Sequence, residues 1–116
     1  MMNIICNNIN DFCTMITTCV SNSIKDIRVF ISEHESYPSI ATPASAKDHI
    51  SFTFVLFTPL YTAIYSSNVK KELYNEIYDS LEKCQEQCNH DFRIQIFDSL
   101  KFKDNNLYIS KELDVI

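Results

Sequence analysis

The sharpest chemical spacing in the chain is Cys84-x3-Cys88-x-His90. Residues four apart share one face of a helix, so both thiols would point the same way. His90 lies just beyond them, and His34 or His49 could complete a tetrahedral N/S site of the zinc type. The competing reading is apolar. Both thiols continue a Leu73–Ile77–Leu81 stripe, and free Cys is among the most buried residue types. Paired zinc knuckles bring a second short Cys/His pair, and Cys13-x5-Cys19 is a poor one. The core reading is preferred, so no metal and no cofactor are expected. A small metal- or thiol-dependent enzyme, or a zinc-binding protein using Cys84, Cys88 and His90, is the alternative.

Nucleophilic catalysis needs a thiolate or hydroxyl, a base and an orienting group. Five Cys and three His are available, but no local signature pairs them. Glu72/Glu76 and Glu82/Glu86 would share a helix face, where they read as solvated surface rather than an acid–base pair. Tyr61, Tyr65, Tyr74 and Tyr78 are a different matter. Tyr is enriched at interfaces because it joins an apolar body to a polar tip. These four are the candidate partner-binding residues, with a core edge whose hydroxyls reach solvent as the competing reading.

The elements that would position these groups follow from periodicity. Asn8 or Asn10 can cap a first helix, with Asp11 favourable near its positive end. Phe12, Ile16, Val20, Ile24 and Ile27 recur at helical spacing. Ile27–Ser32 reads as a short strand. Residues 33–48 lose the pattern; with Pro38 and Pro43 they read as a long loop, a class often used for recognition. Residues 50–57 alternate as the clearest strand, Thr58-Pro59 breaks it, and Tyr61–Tyr65 returns as its partner. The uncharged stretch from Ile50 to Val69 is long enough to span a bilayer, but its prolyl break and its β-branched and aromatic content favour a strand pair.

Asn68 can cap a second helix from Val69 to about Cys88. Its stripe is Val69, Leu73, Ile77, Leu81, Cys84 and Cys88, widened by Tyr74 and Tyr78. Asn89 can close it in a left-handed conformation. Residues 92–97 alternate as a strand. Leu100–Lys103 and Leu107–Ser110 flank a turn at Asp104-Asn105-Asn106. The last residues are a tail or a short element. The expected order is α-β-β-β-α-β-β-β: a single α+β domain over residues 1–116, with two helices packed on one face of a mostly antiparallel sheet of about five to six strands. That order is similar to class I secretion chaperones, a likeness of topology alone.

Composition narrows function by exclusion. The 116 residues include no Gly. Phosphate-cradling loops, the dinucleotide fingerprint and the nucleophile elbow all need Gly at fixed offsets, so none of them can exist here. The residues encoded by AT-rich codons crowd the chain while Gly, Ala, Arg and Pro are scarce, which fits an AT-rich genome such as that of a large DNA virus, a parasite or an AT-rich bacterium. The net charge is −5, with no basic run beyond Lys70-Lys71. No electrostatic footprint for nucleic acid is therefore present. The odd Cys count and the absence of a charged n-region lead us to expect reduced thiols and a cytoplasmic setting, in the producing organism or its host cell. The expected function is a non-enzymatic, acidic protein–protein interaction module of the kind found among viral host-factor antagonists, immunity proteins and secretion chaperones. Its partner would be another protein, with a homodimer as one form, and neither nucleic acid nor membrane.

Overall fold

The structure is a computed structural model that describes residues 2–36, 48–104 and 106–116. Two helices pack on one face of a mixed six-stranded sheet, and two further strands form a second sheet. The α+β class expected from the sequence is the class observed. The order of elements is longer: β1 (Met2–Ile5), α1 (Ile9–Ser21), β2 (Arg28–Ser36), β3 (His49–Phe57), β4 (Tyr61–Lys70), α2 (Lys71–Gln87), β5 (Ile94–Phe97), β6 (Leu100–Lys103), β7 (Asn106–Ile109) and β8 (Glu112–Val115). Strands β1 and β8 are additions to the expected order.

The large sheet runs β1-β4-β3-β2-β5-β8. Its centre is the β2–β3–β4 meander, antiparallel throughout. β1 joins β4 in parallel, and β5 joins β2 in parallel. The stretch from Ile50 to Val69 is thus the β3–β4 hairpin, and among the described residues no helix is long and apolar enough to cross a membrane. Thr58 holds the turn: its hydroxyl accepts from the amides of Leu60 and Tyr61, at 3.1 and 3.0 Å, and donates to the Tyr61 carbonyl at 2.9 Å. Pro59 sits where no ladder amide is needed.

Several boundaries differ from expectation, and tertiary pairing is the reason each time. β2 continues through His34 and Glu35 to Ser36, where it meets His49 across the ladder. The start of the expected 33–48 loop is therefore strand, β3 begins at His49 just past its end, and residues 37–47, including Tyr37, lie outside the described residues. β4 likewise extends to Lys70, so Asn68 pairs with Ser51 inside the sheet instead of capping a helix. α2 begins directly after the strand with no side-chain cap, and Glu72 is the acidic residue near its positive end.

α1 is capped by Asn8, whose Oδ1 accepts the Asp11 amide at 2.8 Å. The helix stops at Ser21, so Ile24 and Ile27 lie beyond it; its buried residues are Phe12, Ile16 and Cys19. α2 ends at the Cys88 cap, and Asn89 and His90 follow in the left-handed region with φ of 55° and 57°. Ser23, Asp26 and Asp104 also take positive φ. Asn and Asp accept that region at lower cost than most side chains, which lets a chain without Gly turn.

The main core lies between the helices and the sheet. Phe12 and Ile16 from α1 and Leu81 from α2 meet Ile31, Phe54 and Leu56 from the meander. From Ile77 to Cys88 the buried α2 stripe is the expected one; at its start the buried place passes from Leu73 to its neighbour. Tyr74 is buried, while Leu73 is 47% exposed. The Tyr74 ring fits among Phe52 and Phe54, with centroids at 5.3 and 6.3 Å, a larger site than Leu would fill. Gln85 is also buried, and its Nε2 donates to the carbonyls of Phe92 and Ile116 at 3.1 and 3.0 Å. That amide ties α2 to both strands of the final ribbon and satisfies its own donors.

β5–β6 and β7–β8 form one bent ribbon. Asp98 donates to Lys111 and Ser110 to Ser99 across the bend, so the pairing continues from one sheet into the other. The ribbon's tip covers one end of the sheet's second face. There Phe30, Val55, Phe97 and Leu100 make a smaller core, with Phe30 and Phe97 edge to face at 4.9 Å.

Candidate functional site

α1 and α2 approach through small side chains, and that seam gathers the chain's thiols. Cys84 Sγ donates to the Cys13 carbonyl at 3.8 Å, and Cys13 Sγ donates to the Ser80 carbonyl at 3.9 Å. Each thiol thus reaches the other helix's main chain. Cys84 and Cys88 are buried, whereas Cys13 is half-buried and lines an open groove of about 340 Å³ with Thr14, Thr17 and Lys83.

The thiols of the seam are shifted in opposite directions. The Cys84 hydrogen bond to the Cys13 thiolate outweighs burial and holds Cys13 below the ordinary thiol range. The same bond, reinforced by burial and by Cys13's charge, pushes Cys84 well above it. Cys88 is pushed up to about 11, first by burial. Burial also raises Cys6, with the nearby Asp11 carboxylate adding to it. Cys13 is the thiol of the seam that combines exposure with a favoured thiolate, the two requirements for reactivity.

The residues expected from the sequence are distributed differently. Cys84 and Cys88 do share a face of α2, as their spacing requires. His90 is exposed beyond the helix end. His34 and His49 lie on β2 and β3, at the end of the sheet where α2 starts. That end is about 20 Å along the helix from Cys84 at 1.5 Å per residue. Among the described residues, no group of three or more His, Cys, Asp or Glu side chains is placed to hold a metal ion. Cys13, 71 residues from Cys84 in sequence, is the member that local spacing passed over.

The tyrosines do not form one exposed surface. Tyr65 and Tyr74 are each 6% exposed. The Tyr74 hydroxyl donates to the Glu33 carboxylate. Tyr61 is half-buried, with its hydroxyl 2.9 Å from Cys19 Sγ, and Tyr78 is half-buried beside Tyr74 with ring centroids 6.2 Å apart.

Exposed apolar surface concentrates instead on strands that sequence reasoning passed over. Met2 and Ile5 of β1 are 62% and 66% exposed, and Leu60, next to Met2's partner Tyr61, is 66% exposed. β1 is uncharged and ends the sheet; among the described residues no strand pairs with its outer side. The Cys6 amide bonds the Ile64 carbonyl at 2.7 Å. A parallel ladder alternates the direction of its amides, so the neighbouring Ile5 amide faces outward. The other edge, β8, carries Glu112 and Asp114, and its register slips by a bulge against β5. Charges and bulges are the usual protection of an edge strand, and β1 has neither.

Comparison with protein-family models, curated proteins and solved structures found no match to this chain.

Proposed function

We propose that the chain is a non-enzymatic, acidic protein-interaction module that docks by strand addition at the β1 edge, with a second copy of itself as occupant. The observation that supports this reading is the unprotected, uncharged β1, with Met2 and Ile5 presented to solvent. Antiparallel pairing of two such strands sets no like charges opposite each other. Pairing two β8 strands would bring Glu112 and Asp114 of both copies together, which is unfavourable. An incoming strand finds outward main-chain groups for hydrogen bonds and flanking apolar side chains for register, as in β-augmentation generally. The roles expected from the sequence, host-factor antagonist, immunity protein or secretion chaperone, all work by docking on another protein.

Four residues on each side is far short of the ~1,600 Å² of a standard interface, so association is weak and depends on concentration. Each copy also carries a net charge of −5, so added salt strengthens association by screening repulsion. Sedimentation velocity over a concentration series tests the reading. The wild-type average mass rises toward a dimer, more steeply at high salt. Ile5→Pro removes an outward amide while leaving the bonds to β4 in place, and it stays monomeric with an unchanged circular dichroism spectrum. A wild-type chain that is monomeric at every concentration, or a folded Ile5→Pro chain that associates equally well, overturns the proposal.

A further inference from the structure

We propose that Cys13 and Cys84 form an oxidisable dithiol site that reacts stoichiometrically with a hydroperoxide and closes to a disulfide between α1 and α2. The geometry is that of two sulfurs, each already within 3.9 Å of the other helix's main chain. Closure turns the two side chains from those main-chain carbonyls toward each other across the seam. Access is one-sided. Cys13 and Cys84 both line the groove, where Lys83 supplies a positive charge, but Cys13 is half-buried and Cys84 is buried.

The steps balance. The Cys13 thiolate attacks the distal peroxide oxygen, the O–O bond breaks, and the alkoxide or hydroxide leaves and takes up a proton. Cys13 is then a sulfenic acid. The Cys84 sulfur attacks the Cys13 sulfur, the S–O bond breaks, and the departing hydroxide combines with the Cys84 proton as water. Two thiols have lost two electrons, and one hydroperoxide has become an alcohol, or water, plus water. The order of attack follows from access: Cys13 is half-buried at the groove and meets the oxidant first, and the buried Cys84 then resolves it.

Cys88 is the internal competitor, since it also contacts Cys84. It sits one turn along the same helix and is buried. Cys6 and Cys19 are buried elsewhere and serve as bystanders.

The full reduced chain is treated with a few equivalents of hydrogen peroxide, alkylated, digested without reduction and mapped by mass spectrometry. The expected product is a Cys13–Cys84 link, with Cys6, Cys19 and Cys88 recovered as alkylated thiols once the digest is unfolded. Cys13→Ser and Cys84→Ser each abolish the link, and Cys88→Ser retains it. Sulfinic acid at Cys13 without a link, a Cys84–Cys88 link, or equal oxidation of all the thiols overturns the proposal. The wild-type map decides the matter even where a serine variant fails to fold.

Discussion

The Tyr74 hydroxyl donates to the Glu33 carboxylate, so the first turns of α2 are tied to the middle of β2 at the edge of the main core. The ring below it packs on Phe52 and Phe54. Two contributions are separable. Tyr74→Ala removes the ring and costs about 3–5 kcal/mol, as large-to-small changes at aromatic core sites do. Tyr74→Phe keeps the ring, and the exposed carboxylate regains water, so it costs about 1 kcal/mol. Urea unfolding measures both. Equal losses for the two variants would show that the hydroxyl and not the ring holds the site.

The exposure of Leu73 at the start of the α2 stripe has its own consequence. Leu81 is fully buried and Leu73 is largely exposed, although both lie on the stripe read from the sequence. Leu81→Ala costs about 2–5 kcal/mol, whereas Leu73→Ala stays within about 0.5 kcal/mol. A large loss from Leu73→Ala, again by urea unfolding, would place the helix in the other rotation.

Alkaline pH loosens the fold in a defined window. Tyr61 is pushed up from its ordinary value of 10.0 to about 12, first by burial and then by its hydrogen bond with Cys19. Cys88 is pushed from 9.0 to about 11 by burial first. Each folded value lies above the unfolded one, so the stabilisation is complete below the unfolded value and is lost as pH rises through the folded one. Cys13 runs the other way, through its hydrogen bond with Cys84. Stability should therefore hold to about pH 9 and fall between about pH 9 and 12. Tyr61→Phe removes the phenol and flattens the upper part of that fall. Thermal melts at stepped pH check this, and an identical pH profile for Tyr61→Phe would refute the assignment.

Long elements with one clear period were legible in the sequence. α2 carries apolar residues every three or four positions, and β3 alternates over Ile50–Phe57. β1 and β8 were not legible, because four residues carry too little pattern and their strand state depends on partners distant in the chain. The same holds for the extension of β2 past Ser32, where polar residues are held in the ladder by β3. Cys84 and Cys88 were visible as a spaced pair. Cys13 was not, because only the packing of α1 on α2 brings it to them. Tyr74 and Leu73 are neighbours on the margin of one stripe, and space among Phe52, Phe54 and Tyr65 decides between them.

The docking edge rests on adjacent amides that face opposite ways: Cys6 toward Ile64, and Ile5 toward the open side of β1. Amide hydrogen exchange read residue by residue, at rising protein concentration and constant salt, tests it most directly. The Ile5 amide should gain protection as concentration rises, while the Cys6 amide, already bonded within the chain, keeps the same rate. An Ile5 amide that exchanges at one rate across the whole series would contradict self-pairing at β1.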